Sequence, residues 1–149
     1  MFASACYVLV DYERGVVAMT SAGHEAPLLQ FKKEVNDEET VAQLAKDPAL
    51  GLFPEAEYHT TEYPLDALEK IMLYTDGIYE IPGADGSDWG REKLVENFEK
   101  CRDKSIEHSQ AEIYQAALDW TDGHGFLDDV CLIGIQLKTS ENSNQSSVI

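Results

Sequence analysis

Three aspartates stand at the ends of two apolar segments, where their carboxylates could bind a cation. Asp76 follows the stretch "KIMLYT", and Asp128 and Asp129 precede the stretch "VCLIGIQL". Carboxylate oxygens without a neighbouring cluster of histidine or cysteine suit hard cations such as Mg²⁺ or Mn²⁺. If the two segments are antiparallel strands, the end of one and the start of the other meet at the same edge of a sheet. The sequence therefore predicts that these carboxylates converge.

Gly77 follows Asp76 directly. A glycine allows a sharp backbone turn and leaves room for a metal ion with its waters. Two such ions about 3.5–4 Å apart could generate a hydroxide and bind a phosphoryl group. The same residues have a simpler interpretation, because Asp-Gly is a common turn pair and Asp128 could begin a strand through a local side-chain hydrogen bond. The pattern alone leaves both interpretations open.

The elements that must position these residues begin with strands. Segments 5–11, 16–20 and 27–31 are apolar and are separated by the turn signals "ERG" and "GHE", which predicts an antiparallel meander. Segment 59–65 alternates between polar and apolar residues. Segment 70–76 is almost continuously apolar, which is typical of a strand buried on both faces.

Two helices are predicted before a last strand. Residues 91–104 and 109–120 show the 3.6-residue apolar period of amphipathic helices. Ser109 and Glu112 match a capping box at the start of the second helix. Residues 130–137 form the closing strand. Strands followed by two helices and a further strand indicate an α+β fold with antiparallel sheet.

Composition excludes several classes of protein. The 149 residues fit one domain, and the net charge of −17 argues against binding nucleic acid or anionic membranes. No apolar run approaches the roughly 20 residues of a membrane span, and the N-terminus lacks the basic start of a signal peptide. Cys6, Cys101 and Cys131 lie in apolar patterns, which predicts three buried thiols in a reducing cytoplasm.

The order of several motifs resembles the metal-dependent protein phosphatase (PPM, protein phosphatase 2C-like) family, in its bacterial sporulation-stage-II-E-like serine phosphatase branch. The matching pieces are "MFASACYVLVD", "SAGHEAPLL", "GLFPEAEY", "IMLYTDGIYE", "DWGREKL" and "DDVCLIGIQL". They resemble only the C-terminal two-thirds of that family's domain. The resemblance implies a partial phosphatase domain over residues 1–138. The polar composition of residues 139–149 predicts a disordered tail.

The resemblance also implies a fold, a site and a reaction. The family fold is an antiparallel β-sandwich flanked by helices, and its N-terminal part is expected to be missing here. Asp76, Gly77 and Asp128 match the metal site, with no catalytic residue beyond the metal ligands. Asp129 and Glu80 would act on the metal indirectly, through its ligands or its waters. The cofactors implied are Mn²⁺ or Mg²⁺, two per complete site, and the reaction is hydrolysis of phosphoserine or phosphothreonine by metal-activated water.

Part of the family's metal site has no match in this sequence. Family members carry an aspartate-rich motif before the "MFASA" equivalent, and it supplies the aspartate that bridges the two ions. No residue up to Thr75 replaces it. We therefore expect a fragment of weak or no activity, with exposed apolar surface or a homodimer that buries it. The expected substrate is a phosphoprotein, such as an anti-sigma-factor antagonist.

Two other functions remain open from the sequence. The chain could be a non-catalytic binding or regulatory module that keeps the phosphatase fold and an incomplete metal site. A weaker alternative is a calcium-binding loop over residues 85–96, in which Trp89 would occupy a position that needs an oxygen ligand. No arginine is placed by the sequence pattern to bind a phosphate.

Overall fold

The computed structural model describes residues 1–35, 40–83 and 86–138. Within these ranges the six strands and two helices are β1 (Ala5–Asp11), β2 (Val16–Ala22), β3 (Leu28–Phe31), β4 (Thr61–Pro64), β5 (Leu68–Tyr74), α1 (Gly90–Lys100), α2 (Ile106–Trp120) and β6 (Leu132–Gln136). The strands form two antiparallel sheets, ordered β1-β2-β4 and β3-β5-β6. The predicted α+β fold is confirmed. The predicted polar tail, 139–149, lies outside the described residues.

A hydrophobic core between the two sheets holds them together. Val17 and Met19 of β2 are fully buried and pack in one cluster with Leu29 of β3 and Ile71 of β5. Side chains alternate between the two faces of a strand, so this cluster takes every second residue along β2 and β3. The result is a two-layer sandwich in which β5 is the central strand of its sheet.

The two helices cover the outer face of the β3-β5-β6 sheet. Phe98 of α1 and Ile113 of α2 are fully buried in a second cluster, together with Met72 and Tyr74 of β5. Because Ile71 faces the other sheet, β5 is buried on both faces, as its continuous apolar run predicts. This burial makes the end of β5 a rigid place from which to present Asp76.

The outer face of β1 carries apolar side chains that are not buried. Tyr7 and Leu9 are 64% and 42% exposed, whereas Val8 and Val10 point to the opposite face and pack on the core between the sheets. A homodimer that buries the apolar surface left by the missing N-terminal part of the fold stays a prediction. None of the helices in the described ranges is long and apolar enough to span a membrane.

The predicted meander of the first three strands is wrong. β2 pairs with β1 and β4, whereas β3 pairs with β5 in the other sheet. The chain crosses between sheets at the "SAGHEAP" turn, where Gly23 has a φ of +64° and its N–H donates to the carbonyl of Asp47 at 2.9 Å. Apolar segments separated by turn signals do not reveal which sheet each segment joins.

The predicted start of the second helix is also wrong. The helix begins at Ile106, and the hydroxyl of Ser105 accepts a hydrogen bond from the backbone N–H of His108. Ser109 is buried inside the helix, where its hydroxyl donates to the carbonyl of Ser105 at 3.0 Å. Burial of Ile106 in the helix-facing core explains why the helix starts one turn earlier than the capping pattern indicates.

The structure does not support two smaller interpretations of the sequence. Cys101 is buried and Cys6 is partly buried, but Cys131 is exposed at the sheet edge, so the prediction of three buried thiols is wrong. The calcium-loop alternative is not supported, because α1 begins at Gly90, where the loop would need a sharp turn. Asp85, the first residue of that loop, lies outside the described residues.

An ion pair fixes part of the connection between β3 and β4. The carboxylate of Asp47 accepts hydrogen bonds from the backbone N–H of His59 at 2.6 Å and pairs with the His59 Nδ1 at 2.9 Å. This hydrogen bonding raises the pKa of His59, and the hydrogen bonds from His59 lower the pKa of Asp47. The carbonyl of Asp47 also accepts from Gly23, so the pair holds this connection near the "SAGHEAP" turn.

We expect His59→Gln to lower the melting temperature more at about pH 5.5 than at about pH 8.5. Because the folded-state pKa of His59 is raised, its stabilisation is complete below the unfolded pKa of about 6.5 and is lost as pH rises through the folded pKa. Asp47 has a lowered pKa and stays ionised throughout this range. Differential scanning fluorimetry of both proteins across this range measures the difference, with His124→Gln as an exposed-histidine control. A pH-independent difference would contradict the account.

Candidate metal site

Asp76 and the Asp128–Asp129 pair lie at the same edge of the β3-β5-β6 sheet. The antiparallel pairing of β5 and β6 ends with Tyr74 opposite Leu132. Beyond that pair the N–H of Thr75 donates to the carbonyl of Cys131 at 3.1 Å. The two strand ends that carry the aspartates therefore meet, as predicted, whereas convergence of the carboxylates themselves stays a prediction.

Thr75 joins the two segments that carry the aspartates. Its hydroxyl accepts a hydrogen bond from the N–H of Cys131 at 2.9 Å and donates to the carbonyl of Asp129 at 3.0 Å. Together with its own N–H, Thr75 therefore makes three hydrogen bonds across the edge. Sequence reasoning assigned no role to Thr75. The signal was its position between the apolar strand and the Asp-Gly pair, where a hydroxyl can pair with the backbone of a neighbouring segment.

Gly77 has to be a glycine because its backbone lies very close to the backbone of Asp128 and Asp129. It lies in a short 3₁₀ turn, Asp76–Ile78, in which the carbonyl of Asp76 accepts from the N–H groups of Tyr79 and Glu80 at 2.9 Å each. A Cβ built on Gly77 would lie 2.6 Å from the carbonyl oxygen of Asp129 and 3.2 Å from that of Asp128. The turn after β5 is therefore in direct contact with the segment before β6.

The carboxylates at this edge are accessible to solvent. Asp76, Asp128 and Asp129 are exposed, as is Glu80 just after the turn. One oxygen of Asp128 accepts a hydrogen bond from the N–H of the next residue, Asp129, at 2.7 Å. The turn interpretation would instead use the N–H two residues on. Local hydrogen bonds of this kind do not explain why the two segments are packed against each other through a glycine.

The residues present fit part of a hard-cation site. The carboxylates of Asp76 and Asp128 have the oxygen chemistry that Mg²⁺ and Mn²⁺ prefer. Among the residues that the structure describes, no group of three or more histidine, cysteine, aspartate or glutamate side chains could hold a metal ion. The roles of Asp76, Gly77 and Asp128 at the metal, and of Asp129 and Glu80 near it, stay predictions.

Solved structures identify the class of the fold. The SiaA-PP2C domain of Pseudomonas aeruginosa superposes on 91% of this chain with a TM-score of 0.69 and 18% identity. The phosphatase domain of SpoIIE from Bacillus subtilis, Mn presoaked, superposes on 90% with a TM-score of 0.64 and 11% identity. The fold is that of PP2C-type phosphatase domains.

Sequence comparison then identifies the family. The model of Stage II sporulation protein E (SpoIIE) matches residues 1–138, and the chain belongs to this family. Protein IcfG of Synechocystis sp. is 25% identical over 136 residues, which are 91% of this chain. The chain spans 20% of the length of IcfG, and 52% and 56% of the SiaA and SpoIIE chains.

Proposed function

We propose that this chain is part of a phosphatase domain that hydrolyses phosphoserine or phosphothreonine on a protein with the help of Mn²⁺ or Mg²⁺. Family membership supports the reaction class. The observation that carries the proposal is the contact of Gly77 with the Asp128–Asp129 backbone, which brings the Asp76 turn against the second aspartate segment. When bound, the ions would activate water and offset the charge of the phosphoryl group.

The residues of this chain have distinct roles in the proposal. Asp76 and Asp128 supply carboxylates to the cation, and Gly77 sets the separation of the two turns that carry them. Thr75 holds the turns together through its hydrogen bonds to the Asp129–Cys131 backbone. Asp129 and Glu80 lie close enough in sequence to act on the bound ion through its waters or its ligands.

The isolated chain is proposed to be weak or inactive. The described residues contribute too few converging carboxylates for a two-ion site, so further ligands would have to come from outside them. The chain also covers only 52% and 56% of the two solved phosphatase chains. Two carboxylates can still hold one cation weakly, with water filling the other positions.

A turnover assay tests the expected inactivity of the isolated chain and, where turnover is found, the candidate site as well. With p-nitrophenyl phosphate and Mn²⁺, residues 1–149 are expected to release product at close to the rate without protein. Strong Mn²⁺-dependent turnover that Asp76→Asn abolishes would contradict the inactivity of the fragment and support the site. Asp66→Asn is the matched control, because Asp66 is an exposed aspartate in the turn between β4 and β5. Turnover equally insensitive to both substitutions would contradict the site.

The substrate is proposed to be a phosphoprotein. The resemblance to the sporulation-stage-II-E-like branch supports an anti-sigma-factor antagonist as that phosphoprotein. The net charge of −17 supports a protein substrate rather than a nucleic acid, since a cationic surface is needed to bind a phosphate backbone. A cytoplasmic location stays a prediction.

A further inference from the structure

A cleft of about 490 Å³ opens at the same edge of the sheet as the aspartates. Its lining includes residues 23–26 of the "SAGHEAP" turn, residues 41–47 and Arg91. β3 begins at Leu28, which pairs with Met72 near the end of β5. The turn before β3 therefore lies at the edge where β5 ends.

Arg91 is held in this cleft by one firm contact and one loose contact. Its Nε donates to the hydroxyl of Tyr74 at 2.9 Å, while its Nη2 lies 3.6 Å from a carboxylate oxygen of Glu25. Charge-assisted hydrogen bonds between such groups are usually about 2.7–2.9 Å long. A guanidinium has five N–H donors, so these two contacts leave donors for a ligand. The Arg91 side chain is 38% exposed, which lets a ligand reach it.

The residues that contact Arg91 also contact the segment around the turn that carries Asp76. Tyr74 lies two residues before Asp76 and Tyr79 directly after the turn, and their rings pack edge to face at 6.1 Å. The phenol of Tyr79 hydrogen-bonds the carboxylate of Glu25, the loose partner of Arg91. Arg91 and Glu25 are therefore attached to the two residues that flank the candidate metal site.

The cleft holds two cationic side chains in an otherwise acidic chain. Lys46 lines the cleft together with Arg91. The lining contains two carboxylates. That of Asp47 is hydrogen-bonded to His59, and the Asp47 side chain is 8% exposed. Glu25 is the remaining carboxylate, and its distance from Arg91 is long. A ligand oxyanion could replace Glu25 at the guanidinium without breaking a short ion pair.

We propose that Arg91 binds an oxyanion of the protein substrate, a phosphate or a carboxylate, in this cleft, and that Glu25 competes with this oxyanion for the guanidinium. The substrate identity rests on the proposed function, but the binding step does not. Arg91 thus positions the substrate at the edge that carries Asp76 and Asp128. The sequence pattern gave no arginine this role, because the role depends on contacts with residues distant in the chain.

The test is an NMR titration of the full chain without metal, in the presence of a chelator. The probes are inorganic phosphate, acetate and a phosphoserine peptide. We expect saturable shifts of the amides of residues 23–26 and 41–47 and of the Arg91 side-chain N–H. Shifts with phosphate and the phosphopeptide but not with acetate would assign the site to a phosphate, and shifts with acetate as well would assign it to any oxyanion.

Two substitutions are expected to act in opposite directions. Arg91→Gln should weaken phosphate binding by about 10-fold, which corresponds to loss of one charge-assisted interaction. Glu25→Gln should tighten phosphate binding several-fold, because it removes the competing carboxylate. Arg14→Gln is the matched control and should leave binding unchanged. Arg14 is paired with Glu62 at 2.8 Å near the β1–β2 turn.

The dispersion of the amide spectrum shows whether each variant is folded. If Arg91→Gln fails to fold, Arg91→Lys keeps the charge but loses the fixed donor geometry, and it should weaken binding by a smaller factor. The proposal is overturned if no cleft residue shifts saturably, if Arg14→Gln weakens binding as much as the Arg91 variants, or if Glu25→Gln weakens it. Since neither metal nor turnover enters the experiment, a missing metal site leaves its result interpretable.

Discussion

Gly77→Ala is expected to lower the free energy of unfolding by about 2–3 kcal/mol and to move the two aspartate segments apart. The added methyl group would lie 2.6 Å from the carbonyl oxygen of Asp129, and a backbone carbonyl cannot move without displacing its segment. Urea unfolding followed by circular dichroism measures the loss. Amide shifts over residues 128–131 report the displacement directly.

Gly15→Ala provides the control for this substitution. Gly15 has a φ of +67°, and a Cβ built on it would meet no atom within 4 Å. Its replacement is expected to cost about 1 kcal/mol through backbone conformation alone. If Gly77→Ala costs no more than Gly15→Ala and leaves residues 128–131 unshifted, the contact between the two turns is not the constraint that the account requires.

Lys70→Met is expected to lower the free energy of unfolding by about 2–3 kcal/mol. Lys70 lies on β5 and is 1% exposed, and its ammonium donates to the carbonyls of Cys101 at 3.2 Å and Arg102 at 2.8 Å, just after α1. Methionine fills much of the same space but leaves both carbonyls without this donor. A cation also interacts favourably with the C-terminal end of a helix, and that interaction is lost as well.

Lys100→Met is the control for the loss of a lysine from the same region. Lys100 is exposed and lies 3.8 Å from Glu96, an exposed pair expected to contribute at most about 0.5 kcal/mol. Chemical denaturation of both variants at one pH measures the difference. An equal effect of the two substitutions would show that the buried ammonium does not hold α1 against the sheet.

The sequence predicts the candidate site because local features are sufficient there. A continuous apolar run identifies β5, and the aspartates mark where β5 ends and β6 begins. Antiparallel pairing of adjacent strands then requires the two ends to meet. The fold class follows from the same order of elements, with two helices before the last strand.

Other features depend on packing that no local pattern records. Ser105 and Ser109 both offer a hydroxyl for a helix start, and only the burial of Ile106 decides between them. The crossing from one sheet to the other at Gly23 has the same turn signals as a hairpin within one sheet. Lys70 would be unfavourable in a strand buried on both faces if the end of α1 were not beside it.

The central claim is that Asp76 and Asp128 belong to one hard-cation site. Paramagnetic broadening of amide signals by Mn²⁺, added well below one equivalent, tests it most directly. With a net charge of −17, weak binding over the whole surface is the competing outcome. Asp66→Asn serves as a control that leaves the site intact.

We predict that broadening is strongest at Asp76, Gly77 and residues 128–131, and that Asp128→Asn reduces it at Asp76 and Gly77 as well as at its own segment. If one substitution reduces the broadening at both segments, the two segments must share an ion. Broadening spread over acidic surface residues, or broadening at Asp76 that Asp128→Asn leaves unchanged, would contradict the claim.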